Sequence, residues 1–364
     1  MNNRATVALL LTVGVATPAW THEDECHSSN GRKSVIALTS NRHDTSDSFL
    51  TWDIYLMDPD QLDETGMISV WRHLPGTDSD FHPVVSPDGK GRIVFDSNRN
   101  RELGEPLNTS HLFLMKAKHD GRHQRLLTKG SSATWSPKGK RIAFHASASG
   151  AGLPINPNPG APTSDSVIFV AKVGDLLEGE APEQLTHPLE GQVDDDADWS
   201  PAGGKIVFTR KNRDNPDPNN PTSAEIYVIN VDGSGLTRLT TNTEEERSPA
   251  FSPDGQRIAF SCRKGIRGGN TLEICVMNAD GTGVAKMTDN SVAELSPHWS
   301  ADGTKIVFHR PVANPPPGQG QQTWVINADG TVQVGDQLTS PPGFHQFPSW
   351  GEIKSGCHEE DDDN

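Results

Sequence analysis

Five residues upstream of six regularly spaced anchors, Val85, Trp135, Trp199, Phe251, Trp299 and Trp350, stand Asp80, Gly130, Asp194, Glu246, Glu294 and His345. Four of the six are acidic, and Asp78, Asp195, Asp196, Glu244 and Glu245 crowd the same register. Carboxylates gathered in this way focus a negative potential suited to a divalent cation such as calcium, a cationic peptide or a protein N-terminus. Asp80, Asp194, Asp196, Glu246, Glu294 and His345 are therefore the candidate binding residues. The acidic run Asp194 to Asp198 is not an EF-hand loop, because Trp199 stands where that loop needs its sixth-position glycine. His145 and His309 each follow a phenylalanine and read as packing at strand ends. Serine hydrolase chemistry lacks its signature, as no Gly-x-Ser-x-Gly elbow occurs in the chain.

The elements that must position these residues are repeats. Ser296-Pro-His-Trp-Ser-Ala-Asp-Gly-Thr-Lys-Ile-Val-Phe-His-Arg310 has near-copies at 83–95, 134–144, 198–208 and 249–260, and a truncated copy at 347–351. Successive anchors are 50, 64, 52, 48 and 51 residues apart, a period that marks a propeller, solenoid or array. Within each repeat, Ser-Pro-Asp-Gly forms a tight turn: proline presets φ, aspartate bonds its own backbone and glycine accepts positive φ. Apolar runs such as Arg257 to Phe260 and Glu225 to Ile229 alternate with period two and are rich in β-branched residues, so they predict strands.

Lys33 to Arg42 matches the second half of a repeat, and Phe347 to Lys354 supplies the missing first half. The fold expected is all-β: a six-bladed β-propeller of four-stranded antiparallel blades, its ring closed by the C-terminal strand joining the N-terminal blade. It is assigned residues 20–357. In such blades the tight turns share one face. The opposite face carries the long insertions Ser147 to Asp165, Lys211 to Ala224 and Pro311 to Gln322, together with the segments that lead into the innermost strands. Binding is expected on that face, at the mouth of the central channel, because variable loops on a rigid scaffold carry most recognition.

Trp-Ser-Pro-Asp-Gly-x-x-Ile-Ala-Phe and Ile-Tyr-Val-Met-Asn-x-Asp-Gly patterns resemble the TolB-type β-propeller repeat family, whose repeat is shared with tricorn and prolyl-oligopeptidase propellers. The resemblance covers residues 33–354. It implies a propeller fold, with functions in the family that range from periplasmic protein binding to gating of peptidases and to lyases. TolB-type proteins carry an α/β domain ahead of the propeller, and here about a dozen residues separate the expected cleavage site from the first strand. Oligogalacturonate lyases that resemble this repeat use histidine and glutamine ligands near the axis of seven-bladed rings, a resemblance that implies His82, His345 and Gln346 as the candidate metal ligands, whereas six repeats are counted here.

Compartment and partners follow from composition. Residues 1–19 have the single cation, the short apolar run and the small residues of a secretory signal peptide, so the chain is expected in the periplasm or secreted. The run from Val7 to Val15 falls short of the roughly 20 residues needed to span a bilayer. Acids flank Cys26, unlike the Leu-x-x-Cys pattern of a lipoprotein. A net charge of −16 argues against nucleic acid and anionic membranes, which need a clustered basic footprint. In an exported chain four cysteines allow three pairings. Propeller topology selects Cys26–Cys357, which would lock the ring, and Cys262–Cys275, which flank one hairpin. The tail at 358–364 reads as a solvated acidic end. The function expected is a monomeric, non-catalytic scaffold that binds a protein or peptide, with a metal ion as an optional contributor. The alternative is a metal-dependent polysaccharide lyase or hydrolase acting at the same mouth.

Overall fold

The computed structural model describes residues 32–41, 52–59, 67–69, 79–99, 109–117, 124–148, 166–212, 224–242, 244–263, 271–312, 320–329, 336–339 and 345–354. The expected signal segment, Cys26, Cys357, Asp78, the acidic tail and most of the three long insertions lie outside the described residues. Residues 32–354 form one compact unit.

Six four-stranded antiparallel sheets make up this unit. In blade 1, Arg32–Ser40, Asp53–Met57 and Met67–Ser69 lie side by side, and His345–Lys354 pairs with the first of them as the innermost strand. Its register runs from Arg32 opposite Lys354 to Ser40 opposite His345, which closes the ring as expected. The innermost strands of blades 2 to 6 are Asp80–Val85, Ser131–Trp135, Gln192–Trp199, Glu246–Phe251 and Leu295–Trp299. Each neighbours the next, and the last neighbours His345–Lys354, so the six surround a central axis. One short helix, Val173–Leu177, interrupts the link between the third and fourth strands of blade 3.

Burial follows from the Ile-x-Phe triplet of each second strand, replaced by Ile36-Ala37-Leu38 in blade 1. Ile206 and Phe208 pack towards blade 3, while Val207 between them packs towards blade 5. Ile306 and Phe308 likewise face blade 5, and Val307 faces blade 1. Period-two alternation therefore gives every seam one large pair and one small partner, and six separate apolar clusters fill the six seams. Polar groups complete the joints. Trp135 Nε1 and Trp299 Nε1 donate to the Val84 and Ala250 carbonyls of the preceding blade, at 3.0 and 3.1 Å. Arg92, Arg141 and Arg257 lie over Trp135, Trp199 and Trp299 across the seams, 4.6–5.4 Å from the ring centres.

The Ser-Pro-Asp-Gly turn forms as its composition requires. Ser252 Oγ donates to Asp254 Oδ1 at 2.5 Å, Gln256 N–H donates to the same oxygen, and Gly255 takes φ of 70°. The threonines of the Leu-Thr pairs extend the ladder beyond the short outer strands. Thr186, Thr240 and Thr339 each accept the main-chain N–H of Ile168, Ile226 and Thr323 at 2.9 Å. In blade 5 the expected Cys262–Cys275 disulfide is present between the second and third strands, with Cα atoms 5.8 Å apart. Phe260 is the residue directly opposite Cys275, so the bond runs diagonally across the strand pair.

Candidate functional site at the channel axis

Where the chain turns in from the long-loop face, the residues five before each anchor begin the innermost strands or lie immediately before them, except Asp194, which is the third residue of its strand. Asp80, Asp194, Glu246, Glu294 and His345 are all buried. Each of three acids meets an arginine carried on or just beyond the second strand of its own blade. Arg210 holds Asp194 with two bonds of 2.6 and 2.8 Å, Arg99 Nη2 reaches Asp80 at 2.6 Å, and Arg310 Nη1 lies 3.3 Å from Glu294. Glu246 accepts instead from Asn242 at 2.5 Å. Burial pushes the Asp80 carboxyl up to about 6 against the pull of Arg99. It pushes Glu246 up to about 8, with the Glu225 and Glu244 charges adding to the effect. In blade 3 the equivalent residue is Gly130, whose φ is 151° and where a Cβ would sit 2.6 Å from the Phe144 ring. No side chain fits there, which explains the missing acid.

At the mouth between blades 4 and 5 the charges alternate in sign; Glu245 is buried, and Asp195, Lys211, Arg247 and Arg263 are half-buried. Lys211 Nζ bonds Asp195 Oδ2 at 2.5 Å, and Glu245 sits between Arg247 and Arg263. Buried polar atoms without a hydrogen-bond partner here include Asp195 Oδ1, Arg247 Nε and Glu246 Oε2, and Glu294 Oε2 adds another from blade 6. Burial pushes Asp195 up to about 6, opposed by Lys211.

Deeper in the channel each innermost strand carries a bulge. The register slips in all six, and one residue of each bulge takes a left-handed conformation with φ of 48–53°: His82, Ser132, Asp196, Ser248, Ser296 and Phe347. All stand three residues before an anchor and all are half-buried. A bulge re-aims the strand, and non-glycine residues in this region are uncommon. Their interactions show where they are aimed. His82 and Phe347 have ring centres 3.9 Å apart, and Ser248 Oγ donates to Asp196 at 2.9 Å. Asp196 of blade 4 and His82 of blade 2 influence each other, and so do His82 and His309 of blade 6. Blades 2 and 4 are not neighbours, whereas His82 and His309 both contact Phe347 of blade 1, which lies between blades 2 and 6. Burial works against ionisation of Asp196, but Lys211, His145, Ser248 and His82 outweigh it and hold the carboxyl below its usual range. Burial would also lower His82, but the Asp96 carboxylate at 2.9 Å and the Asp196 charge hold it above the ordinary histidine value.

Behind the bulges lies a second ring. The residue after each second-strand Phe or its equivalent is polar and buried: Thr39, Asp96, His145, Thr209, Ser261 and His309. It shares parity with the small middle residue of Ile-x-Phe and so faces the next blade. From the even-numbered blades it accepts the N–H of the following blade's bulge residue. Asp96 accepts from Ser132 at 3.2 Å, Thr209 from Ser248 at 3.2 Å and His309 Nδ1 from Phe347 at 3.3 Å. From the odd-numbered blades, Thr39 Oγ1, His145 Nδ1 and Ser261 Oγ have no partner. Burial lowers the His145 and His309 imidazoles to about 4 and about 3, so both are neutral at pH 7.

A family model described as the TolB beta propeller domain matches residues 163–354, more than half of the chain. The chain belongs to the TolB β-propeller family. Among solved structures, TolB from Acinetobacter baumannii is similar with a TM-score of 0.59 at 18% identity, over 88% of this chain and 66% of that one. An oligogalacturonate lyase in complex with manganese is similar with a TM-score of 0.50 at 11% identity, over 86% of this chain and 75% of that one. At these identities the likeness is one of fold. Among curated proteins, dipeptidyl-peptidase 5 of Porphyromonas gingivalis is 39% identical over 46 residues, which span 13% of this chain and 7% of the peptidase.

In this TolB-type propeller, then, the candidate residues fall into two layers. Asp80, Asp194, Glu246, Glu294 and His345 are buried at the mouth, and Asp196 and His82 stand in the bulge ring facing the axis. Gln346 is half-buried beside Phe347. Among the described residues, no group of three or more His, Cys, Asp or Glu side chains is arranged to hold a metal ion. Also among the described residues, no helix is long and apolar enough to cross a membrane. Sequence reading missed Lys211, Arg247, Ser248, Phe347 and the polar ring behind the bulges. The signal for that ring was present, since a polar residue follows the Phe or Leu of every second strand.

Proposed function

We propose that this chain is an exported, non-catalytic propeller scaffold that docks a protein or peptide at the channel mouth on the long-loop face. The observation that carries the reading is the set of buried polar atoms without partners at the mouth: Asp195 Oδ1, Arg247 Nε, Glu246 Oε2 and Glu294 Oε2. A buried polar group left unpaired costs stability, and a docking partner that supplies the missing donors and acceptors recovers it. The alternation of Lys211, Asp195, Arg247, Glu245 and Arg263 favours a polar partner surface of mixed sign over a uniformly charged one. Asp196 takes a direct contact in this reading, while Asp80, Asp194 and Glu294, tied to their arginines, hold the mouth in shape. Family membership supports protein binding and a periplasmic setting, and the N-terminal composition supports export.

The test is affinity capture from native envelope or culture medium with the mature protein, with Asp195→Asn/Arg247→Gln and with Asp196→Asn. Thermal midpoints of all three are measured alongside. Specific capture by the parent that is lost in the folded variants supports the reading. Capture unchanged by these substitutions would remove the mouth as the docking site. Capture abolished by chelator but restored by calcium or manganese would instead favour a metal-bridged contact.

A further inference from the structure

The bulge ring differs on its two sides. Blades 1 and 2 contribute Phe347 and His82, whose rings touch at a tilt of 52° with centres 3.9 Å apart, and Phe81 meets Phe347 edge-on at 6.3 Å. Blades 3 to 6 contribute Ser132, Asp196, Ser248 and Ser296, three hydroxyls and one carboxylate. Phe347 is a bulky residue at φ of 50°, a conformation such residues rarely adopt, and the His309 bond to its N–H helps to hold it. A second, independent feature lies directly behind the ring. His145 is nine-tenths buried, its Nδ1 has no partner, and Asp196 in front of it is its strongest charged neighbour. Thr39 Oγ1 and Ser261 Oγ, behind His82 and Ser296, are also without partners.

We propose that this ring is a seat for one neutral pyranose ring, its C–H face on Phe347 and His82 and its hydroxyls towards Asp196, Ser248 and Ser296. A pyranose has one apolar face and a rim of groups that both donate and accept, which is the division the ring presents. Asp196 is the acceptor for sugar hydroxyls, and it disfavours an acidic sugar by like charge. The buried nitrogen of His145 and the two unpartnered hydroxyls take up ligand hydroxyls directly or through water, as buried polar atoms require. This seat lies inside the mouth and goes beyond the docking reading, on which it does not depend.

The experiment is saturation-transfer NMR of the mature protein with methyl glucoside, N-acetylglucosamine, maltose and galacturonate at millimolar concentrations, followed by titration of any binder. At least one neutral sugar is expected to receive saturation on one face and to bind more tightly than galacturonate. Phe347→Ala should weaken it by about tenfold or more, the loss of a stacking surface. Phe347→Trp should retain binding, and Asp196→Asn should weaken it by about tenfold through loss of the charged acceptor. Asp196→Asn is isosteric and Phe347→Trp keeps an aromatic face, so they test the seat even if Phe347→Ala fails to fold. No transfer to any neutral sugar, binding of galacturonate alone, or neutral-sugar binding unchanged in Asp196→Asn or in a folded Phe347→Ala would overturn the proposal. Partner capture that persists in the same preparations would show that the docking reading stands without it.

Discussion

Thr39 and Thr209 occupy equivalent places after the second-strand apolar triplet, and both are fully buried. Valine is nearly isosteric with threonine and shares its β-branch, so Thr→Val at either site changes little but the hydroxyl. At Thr209 that hydroxyl accepts the Ser248 N–H at 3.2 Å. Removing it leaves a donor at a half-buried seam, which should cost about 1–2 kcal/mol. At Thr39 the hydroxyl has no partner, so its removal takes away an unpaired buried group. That change should be neutral or stabilise by up to about 1 kcal/mol. The assay is urea unfolding followed by tryptophan fluorescence, with both variants and the parent compared at equal slope. Thr209→Val should unfold at lower urea than Thr39→Val, by a gap of at least about 1 kcal/mol. Equal losses, or a greater loss at Thr39, would refute the alternation of made and unmade joints around the ring.

Other perturbations address the same framework. Arg210→Met strands the buried Asp194 carboxylate and should cost about 3–5 kcal/mol in the same urea assay, with Arg210→Lys intermediate because it cannot make both bonds. Cys262→Ala/Cys275→Ala opens a loop spanning 13 positions, and the chain-entropy model sets its cost at about 3 kcal/mol as an upper limit, read as a fall in the urea midpoint. Glu246 is raised to about 8 in the folded state, above its unfolded value, so the folded chain holds a proton the unfolded chain releases. Stability from this group is therefore fully present below the ordinary carboxylate range and is lost as pH rises towards about 8. Glu246→Gln should flatten that decline between pH 5 and pH 8, and a pH–stability profile unchanged by the substitution would count against the raised carboxyl.

Much of the fold was legible because its determinants are local. Pro-Asp-Gly turns, Ile-x-Phe alternation and the period of the anchors each act within a few residues, and their repetition named the blade count and the closing strand. The third-strand segments Asp53–Met57, Glu225–Ile229 and Glu273–Met277 all lie in strands. The diagonal disulfide was readable for the same reason, since both cysteines flank one hairpin. The short helix at Val173–Leu177 carried no such signal, being only five residues long.

The candidate site divides differently. Sequence placed Asp80, Asp194, Glu246 and Glu294 at one register, and that register is real. Whether an acid there faces solvent or an arginine depends on which residues the second strand brings alongside, and Arg99, Arg210 and Arg310 lie 16 to 19 positions away in the chain. Asp196, by contrast, points to the axis because a bulge reverses its φ, and the bulge arises from pairing with Thr209 and its neighbours rather than from any glycine. Sequence alone determined the blade, its turns and its repetition, because those follow from backbone preference and period-two burial. Only tertiary structure decided which charges are paired and which face the channel, because six bulges and six seams must close around one axis before any of those side chains has a neighbour.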